Sequence, residues 1–255
     1  CDVLTLRDQI GEVDQIFHLA ALISGHDSLG EADAYWRTNL TGVLRLIDFA
    51  AESTQKPKLV LASSSTVYGN QPPGHITEAA LPAPTTTYAL TKLAAEHSLR
   101  MYGELHGIEH VALRLFNVFG PRQNPDHPYA NVTCKFARAG AQGLPIKLFG
   151  DGLQSRDFVY ITDVINALLA VRGPCAHHIY NVGTGHVTSI RQLMDTIESL
   201  TGTAFEVEQC PPWPNDIRTI SADTTRIRDE FELAAPTSIE HGLRATVDYF
   251  AQPNA

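Results

Sequence analysis

Several things are scarce in this chain, and each scarcity excludes a class of protein. The 255 residues include four cysteines, Cys1, Cys134, Cys175 and Cys210, which stand far apart and form no C-x-x-C pair. Neither a zinc site nor a disulfide framework is suggested, and no metal is expected. Reduced thiols in a cytoplasmic protein are the simplest reading. No apolar run approaches the roughly 20 residues that a membrane helix requires. The opening residues, CDVLTLRDQI, have neither a basic start nor a long apolar stretch, so no secretory leader is read there. Positive charge is short too: 19 Lys and Arg against 28 Asp and Glu give a formal net charge of -9. No Lys/Arg-rich stretch breaks that balance, so nucleic acid and anionic membranes are not expected partners. A small anionic ligand remains open, because one or two local arginines can serve it.

What is present is ordinary for a folded protein, with 44% hydrophobic and 18% charged residues. The length suits one large domain or two small ones. QIFHLA (15–20) reads as a short apolar strand. Residues 31–53 carry helical periodicity, with Leu40, Val43, Leu44, Ile47 and Ala51 on one face. KLVLAS (58–63) reads as a fully buried strand, 70–86 as a Pro/Gly/Thr-rich loop, and 87–106 as a second long helix. HVALRLFNVFG (110–120) is a third buried strand, stopped by Gly120-Pro121.

Strands that alternate with long helices imply a parallel α/β sheet covered on both faces. After residue 120 the elements shorten: helices over 129–143, 162–171, 189–201, 222–231 and 238–250, extended pieces at 146–149, 157–160 and 178–182. The expectation is a main domain over 1–120, rejoined by segments near 157–183, and a smaller mixed domain over 121–255.

The buried strand ends unusually. SSSTVYG (63–69) sets a row of hydroxyls at its carboxyl end. In a parallel sheet, ligands gather at that end. About two dozen residues on, YALTK (88–92) places a tyrosine and a lysine one helical turn apart. An ammonium beside a phenol favours the phenolate, so Tyr88 is expected to lie below its usual pKa and to serve as a base. Serine hydroxyl, tyrosine and lysine can then converge on one alcohol.

These motifs, with several others in order, resemble the extended short-chain dehydrogenase/reductases, specifically the NAD-dependent nucleotide-sugar epimerases. The others are FHLAALISGHDSL (17–29), TNLTGVLRLIDFA (38–50), LRLFNVFGPRQNP (113–125), GDGLQSRDFVYITDV (150–164), YNVGTG (180–185) and SADTTRIRDEF (221–231). The resemblance covers nearly the whole chain. It implies a Rossmann-like doubly wound sheet with a smaller substrate domain, NAD as cofactor, a UDP-sugar as substrate, and a homodimer built on the helices at 35–53 and 87–106.

It also implies roles. Tyr88 is the acid and base, Lys92 its tuning cation and a ligand of the nicotinamide ribose. Ser64 is the active hydroxyl, with Ser65 and Thr66 as neighbours that could be confused with it. Asp2, Val3, Leu19, Ala20, Ala21, Asn39, Ser63 and Phe116 join Tyr88 and Lys92 in the cofactor site. Ser64, Asn117, Tyr129, Asn131, Leu148, Phe149, Arg156 and Asp216 line the substrate site, with Arg156 on the diphosphate. The bland alternative for Arg156 is a surface salt bridge with Asp157, and His18 reads as structural. The family's dehydratases place an acid just before VYG, where this chain has Ser65-Thr66. That favours epimerisation: Tyr88 takes the C4 hydroxyl proton, NAD takes and returns the hydride, and the 4-keto sugar turns over between. A dehydratase, a reductase or a non-catalytic relative are the other readings.

Two departures stand out. The glycine-rich turn that cradles the pyrophosphate is not found, and GTG at 183–185 follows the wrong strand. The chain therefore reads as N-terminally shortened by one βαβ unit, and is expected to bind NAD weakly and to be unstable alone. The family's R-P-G-D is here Trp213-Pro214-Asn215-Asp216, so the phosphate-clamping charge falls to Arg218 or Arg156.

Overall fold

Every side chain of Lys58–Ser64 is buried, and the fold is built around this strand. The computed structural model describes residues 11–24, 27–127, 130–212 and 218–252. In chain order the strands of the first half are Gln15–His18 (β1), Lys58–Ser64 (β2), His75–Ile76 (β3), His110–Leu115 (β4) and Asn117–Phe119 (β5). Those of the second half are Ile146–Phe149 (β6), Ser155–Arg156 (β7), Phe158–Tyr160 (β8), Ile179–Val182 (β9), Thr188–Ser189 (β10), Val207–Cys210 (β11) and Thr219–Ala222 (β12). The α-helices are Ala32–Tyr35 (α1), Gly42–Glu52 (α2), Thr87–His106 (α3), Val132–Gln142 (α4), Ile161–Ala170 (α5), Ile190–Thr201 (α6), Thr225–Phe231 (α7) and Ile239–Phe250 (α8).

A parallel sheet runs in the order β1-β2-β4-β9. Alternation along β2 sorts its two faces. Leu59 and Leu61 pack with Val43 and Ile47 of α2 and with Ala95 and Leu99 of α3. Val60 packs on the opposite face with Val164 and Ala167 of α5 and Ile227 of α7. Two-sided cover explains why β2 and β4 read as unbroken apolar runs. The chain folds here as a Rossmann-like α/β protein.

Helix α3 is bounded by clear signals. Thr86 Oγ1 accepts the Ala89 N–H at 3.2 Å, and Gly107 closes the helix in the left-handed conformation. No described helix is long and apolar enough to cross a membrane.

Three expectations change. The helix expected over 31–53 contains a π-helical turn at Trp36–Thr41, where Asn39 turns inward. The strand expected over 110–120 divides at Phe116: its N–H still reaches Val182 of the first sheet, while Asn117 N–H reaches the Asp157 carbonyl and β5 pairs with β8. Strands β3, β7, β10, β11 and β12 were not expected. β12 lies between β7 and β3, and β11 runs parallel to β6. These pieces are two to four residues long, too short for a period to show. The later half has a core of its own, in which Phe119, Phe136, Leu148, Phe158, Leu193, Ile197 and Leu243 meet between α4, α6 and α8.

Candidate active site

At the carboxyl end of β2 the chain leaves the sheet in a short 3-10 turn, Ser65–Tyr68. Ser64 caps that turn, accepting the Thr66 N–H at 3.2 Å and lying 2.9 Å from the Thr66 hydroxyl. Gly69 then takes φ 61, and a Cβ there would stand 1.9 Å from the Ala83 carbonyl oxygen. The glycine of VYG is therefore dictated by the return of the 70–86 loop onto the turn. Ser65 belongs to the turn, so strand alternation stops at Ser64, and Ser63 and Ser64 are the pair that diverge. Ser63 donates its hydroxyl to Glu96 on α3. Ser64 stays at the strand end, where its hydroxyl acts to lower the Tyr88 phenol.

Tyr88 and Lys92 rise from the first turns of α3, where the helix carries positive partial charge. The Lys92 ammonium stands 6.0 Å from the Tyr88 ring centroid. It donates to the Ala62 carbonyl at 2.8 Å. Tyr35 meets Tyr88 edge-on, with ring centroids 6.5 Å apart. Serine, tyrosine and lysine are thus brought together as the sequence suggested.

Their titration differs from the expectation. Burial raises the Tyr88 phenol above its ordinary value, against a lowering hydrogen bond from Ser64 and a smaller raising effect of Tyr35. Desolvation outweighs the help the phenolate receives. Burial also lowers Lys92 to about 8, with the Glu96 carboxylate acting the other way. His18, at the end of β1, is lowered to about 4 by burial and then by the Lys92 charge, so it is neutral near pH 7. His18 belongs with this centre electrostatically, a link its place in HLAA did not show.

Asn39 closes the site from below. Its amide accepts the Leu22 N–H at 2.9 Å and donates to the Leu22 carbonyl at 3.0 Å and to Thr91 Oγ1 at 3.1 Å. It fixes the segment after β1 to α3. Leu19 is 57% exposed and Ala20 is exposed, beside that strand end.

The proposed substrate residues lie on the later elements. Asn117 donates its backbone N–H to the Asp157 carbonyl at 3.0 Å and its side-chain amide to the same oxygen at 3.4 Å. Asn131 caps α4 through Thr133 N–H at 3.3 Å and donates to the Val118 carbonyl at 3.2 Å. Leu148 is buried in the second core. Phe149 lines a groove of about 630 Å³ with Pro125, Val132, Lys135, Phe136 and Lys147. Phe116 is buried against Val67 and Tyr68. Arg156 is half-buried on β7, where its guanidinium donates to the Ser155 carbonyl at 2.9 Å. Arg218 forms a two-point pair with Asp151, at 3.0 and 3.1 Å. Asp2, Val3, Tyr129, Trp213 and Asp216 lie outside the described residues.

Asp157 was missed. Fully buried, it is no surface partner for Arg156: its carboxylate accepts Thr184 N–H and Oγ1 at 2.8 and 2.7 Å, Gly185 N–H at 2.9 Å and Ala222 N–H at 3.0 Å. The GTG turn therefore cradles a carboxylate. A Cβ at Gly183 would stand 2.8 Å from that carboxylate, so the glycine permits the approach. The signal available in sequence was an acid beside the expected diphosphate arginine.

A parallel sheet with Ser64, Tyr88 and Lys92 gathered at its carboxyl end defines a nicotinamide-dependent α/β enzyme. Residues 2–183 match the family model described as NAD dependent epimerase/dehydratase, and the chain belongs to that family. It is 35% identical to a UDP-glucose 4-epimerase of Mycolicibacterium smegmatis over 237 residues, 92% of this chain and 75% of that one. A UDP-N-acetylglucosamine 4-epimerase of Methanobrevibacter ruminantium, solved with UDP-N-acetylmuramic acid, superposes with a TM-score of 0.91 at 33% identity, covering 98% of this chain and 81% of that one. The Thermus thermophilus UDP-glucose 4-epimerase solved with NAD gives 0.88 at 33% identity, covering 97% and 80%.

The cofactor of this enzyme is NAD, and the donor set fits it. An ammonium has three protons, and Lys92 gives one to Ala62. Two protons of that ammonium are left for a polar group of the cofactor.

Proposed function

We propose that the chain epimerises a UDP-sugar at C4, with UDP-glucose, UDP-N-acetylglucosamine and UDP-glucuronate as the candidate substrates. The observation that carries this reading is the Ser64–Tyr88–Lys92 convergence with hydroxyls, and no acid, in the two positions before VYG. Ser65-Thr66 stand where the family's dehydratases carry an acid, and the Thr66 hydroxyl is engaged by Ser64. No carboxylate is among the groups acting on Tyr88.

In this reading Ser64 and Tyr88 hold the sugar C4 hydroxyl, and Tyr88 takes and later returns its proton. NAD, when bound, supplies hydride acceptance and return. In this reading the active form keeps the proton on Lys92 and has lost the one on Tyr88. Turnover should therefore climb with pH up to about 8, the value at which Lys92 first releases a proton. The later elements supply the nucleotide site, with Asn117, Asn131, Phe149 and Arg156 from residues 121–255 and the β5 turn before it. Leu90, Met101 and Leu105 are exposed at helical spacing on α3 and support a homodimer built on α2 and α3.

The test is a panel of UDP-sugars incubated with the protein and NAD⁺, preceded by an NAD⁺ titration read as heat. Conversion to the C4 epimer without net NADH supports the reading. Loss of water from the sugar, or stoichiometric NADH, overturns it in favour of a dehydratase or dehydrogenase.

A further inference from the structure

Helix α3 carries another buried polar group that the reading above does not use. Glu96 lies one turn beyond Lys92, as Lys92 lies one turn beyond Tyr88. Its side chain is 2% exposed. It accepts the Ser63 hydroxyl, Arg114 Nε at 3.1 and 3.3 Å, and Arg114 Nη2 at 2.7 Å. Ser63 on β2 and Arg114 on β4 are register partners across the sheet. One carboxylate thus grips both central strands at the level of the reaction centre and ties them to the helix bearing Tyr88 and Lys92. Arg114 is held in turn over the Tyr68 ring, 4.7 Å from its centroid, and Tyr68 donates to Asn181 on β9 at 2.6 Å.

A buried ion pair is weak evidence for stability, because well-packed apolar residues often serve as well. An apolar replacement would keep the strands together. It would free Ser63 and remove the carboxylate that acts on Lys92. The charged and titratable groups around Lys92 are Tyr88 and Glu96 on its own helix, His18 from β1, Tyr35 against Tyr88, and Arg114 behind Glu96.

We propose that Glu96 is a positioning residue for the reaction: it sets Ser64 against Tyr88 by holding Ser63, and it places a carboxylate one helical turn from Lys92. The inference rests on the proposed roles of Tyr88 and Lys92. Its electrostatic part follows from the charge states that the proposed mechanism needs. The active form keeps the proton on Lys92 and not on Tyr88, so its population falls as Lys92 becomes a weaker base.

The experiment compares Glu96→Gln, Glu96→Asp and the unsubstituted chain. Lys92 is titrated directly by the pH dependence of its labelling with an amine reagent, read by peptide mass mapping. Expected in Glu96→Gln is a Lys92 titration moved down by about one pH unit, which lowers the active population about tenfold. The rising limb of the turnover profile should move down with it, with KM unchanged. Glu96→Asp, which keeps the charge, should restore the Lys92 titration. If Glu96→Gln leaves Arg114 unpaired and does not fold, Glu96→Gln with Arg114→Met removes both charges, and Lys92 should still titrate below the unsubstituted value. Unchanged Lys92 titration in the folded variants overturns the proposal, whatever the stability shows. The labelling needs no turnover, so failure of the epimerase reading shows instead as an inactive chain in which Lys92 still responds to Glu96.

Discussion

The two ends of the parallel sheet each bury a lysine, and comparing them shows what burial does and does not mark. Lys92 is 4% exposed at the carboxyl end, and Lys58 is 6% exposed at the amino end. Lys58 donates to the Gly173 carbonyl and lies 3.1 Å from the Cys175 sulfur. Its surroundings are tied into the chain: His110 stacks on His178 with centroids 4.4 Å apart, and His110 Nδ1 bonds the Ile108 carbonyl at 2.9 Å. Burial is the largest effect on the Cys175 thiol and raises its pKa, which makes it a poor nucleophile. Lys92 has as neighbours a phenol, a serine hydroxyl and a carboxylate one turn along the helix. The lysine at the amino end holds a loop. The one at the carboxyl end carries its charge into the site, where it helps to keep His18 neutral.

The widest separation should come from removing each lysine. Lys92→Met, like Tyr88→Phe, should lower turnover by about 10²–10⁴-fold. Lys58→Met should leave turnover within about threefold, a change near 0.6 kcal/mol in the barrier, while lowering the melting temperature. Equal losses of turnover from both lysines would erase the contrast.

Asp157→Asn should come next, with a loss of about 3 kcal/mol in urea unfolding, because an amide cannot accept all the N–H groups that now meet the carboxylate. Gly103→Ala probes the amino end alone. A Cβ there would stand 2.3 Å from His110 Nδ1. The expected loss is about 1–3 kcal/mol, with turnover unchanged.

The smallest effect is a slope. His18 is lowered from 6.5 to about 4 in the folded chain. Between those values the unfolded chain binds more protons, so stability is fully present above 6.5 and declines as pH falls toward 4. His18→Asn should flatten that decline in a series of melting curves. An unchanged slope would detach His18 from the Lys92 end.

Long periodic segments were legible in the sequence. The helix expected at 87–106 runs from Thr87 to His106, and KLVLAS extends by a single residue to Ser64. Tyr88 and Lys92 were found because a helix fixes what stands one turn apart. Glu96 obeys the same spacing but was passed over, since its partners Ser63 and Arg114 come from two strands that only the sheet brings into register. Asn39 was read from its motif, and its bonds to Leu22 and Thr91 are contacts that the sequence did not show. The ionisation of Tyr88 was misjudged because sequence gives the neighbouring charge but not the depth of burial. Strands β10 to β12 escaped because pairing in another part of the chain makes them strands.

Asp157 has a consequence for the order in which the molecule can be assembled. Its hydrogen-bonding partners lie 27, 28 and 65 positions further along the chain. A chain made from its N-terminus presents this carboxylate well before Ala222 exists to meet it. Until then the acid has only water and the 184–185 turn for company. Contacts of such long range are made late, because the intervening loop must first be closed. The carboxylate therefore works as a latch, shut only after residues on both sides of the fold have been delivered.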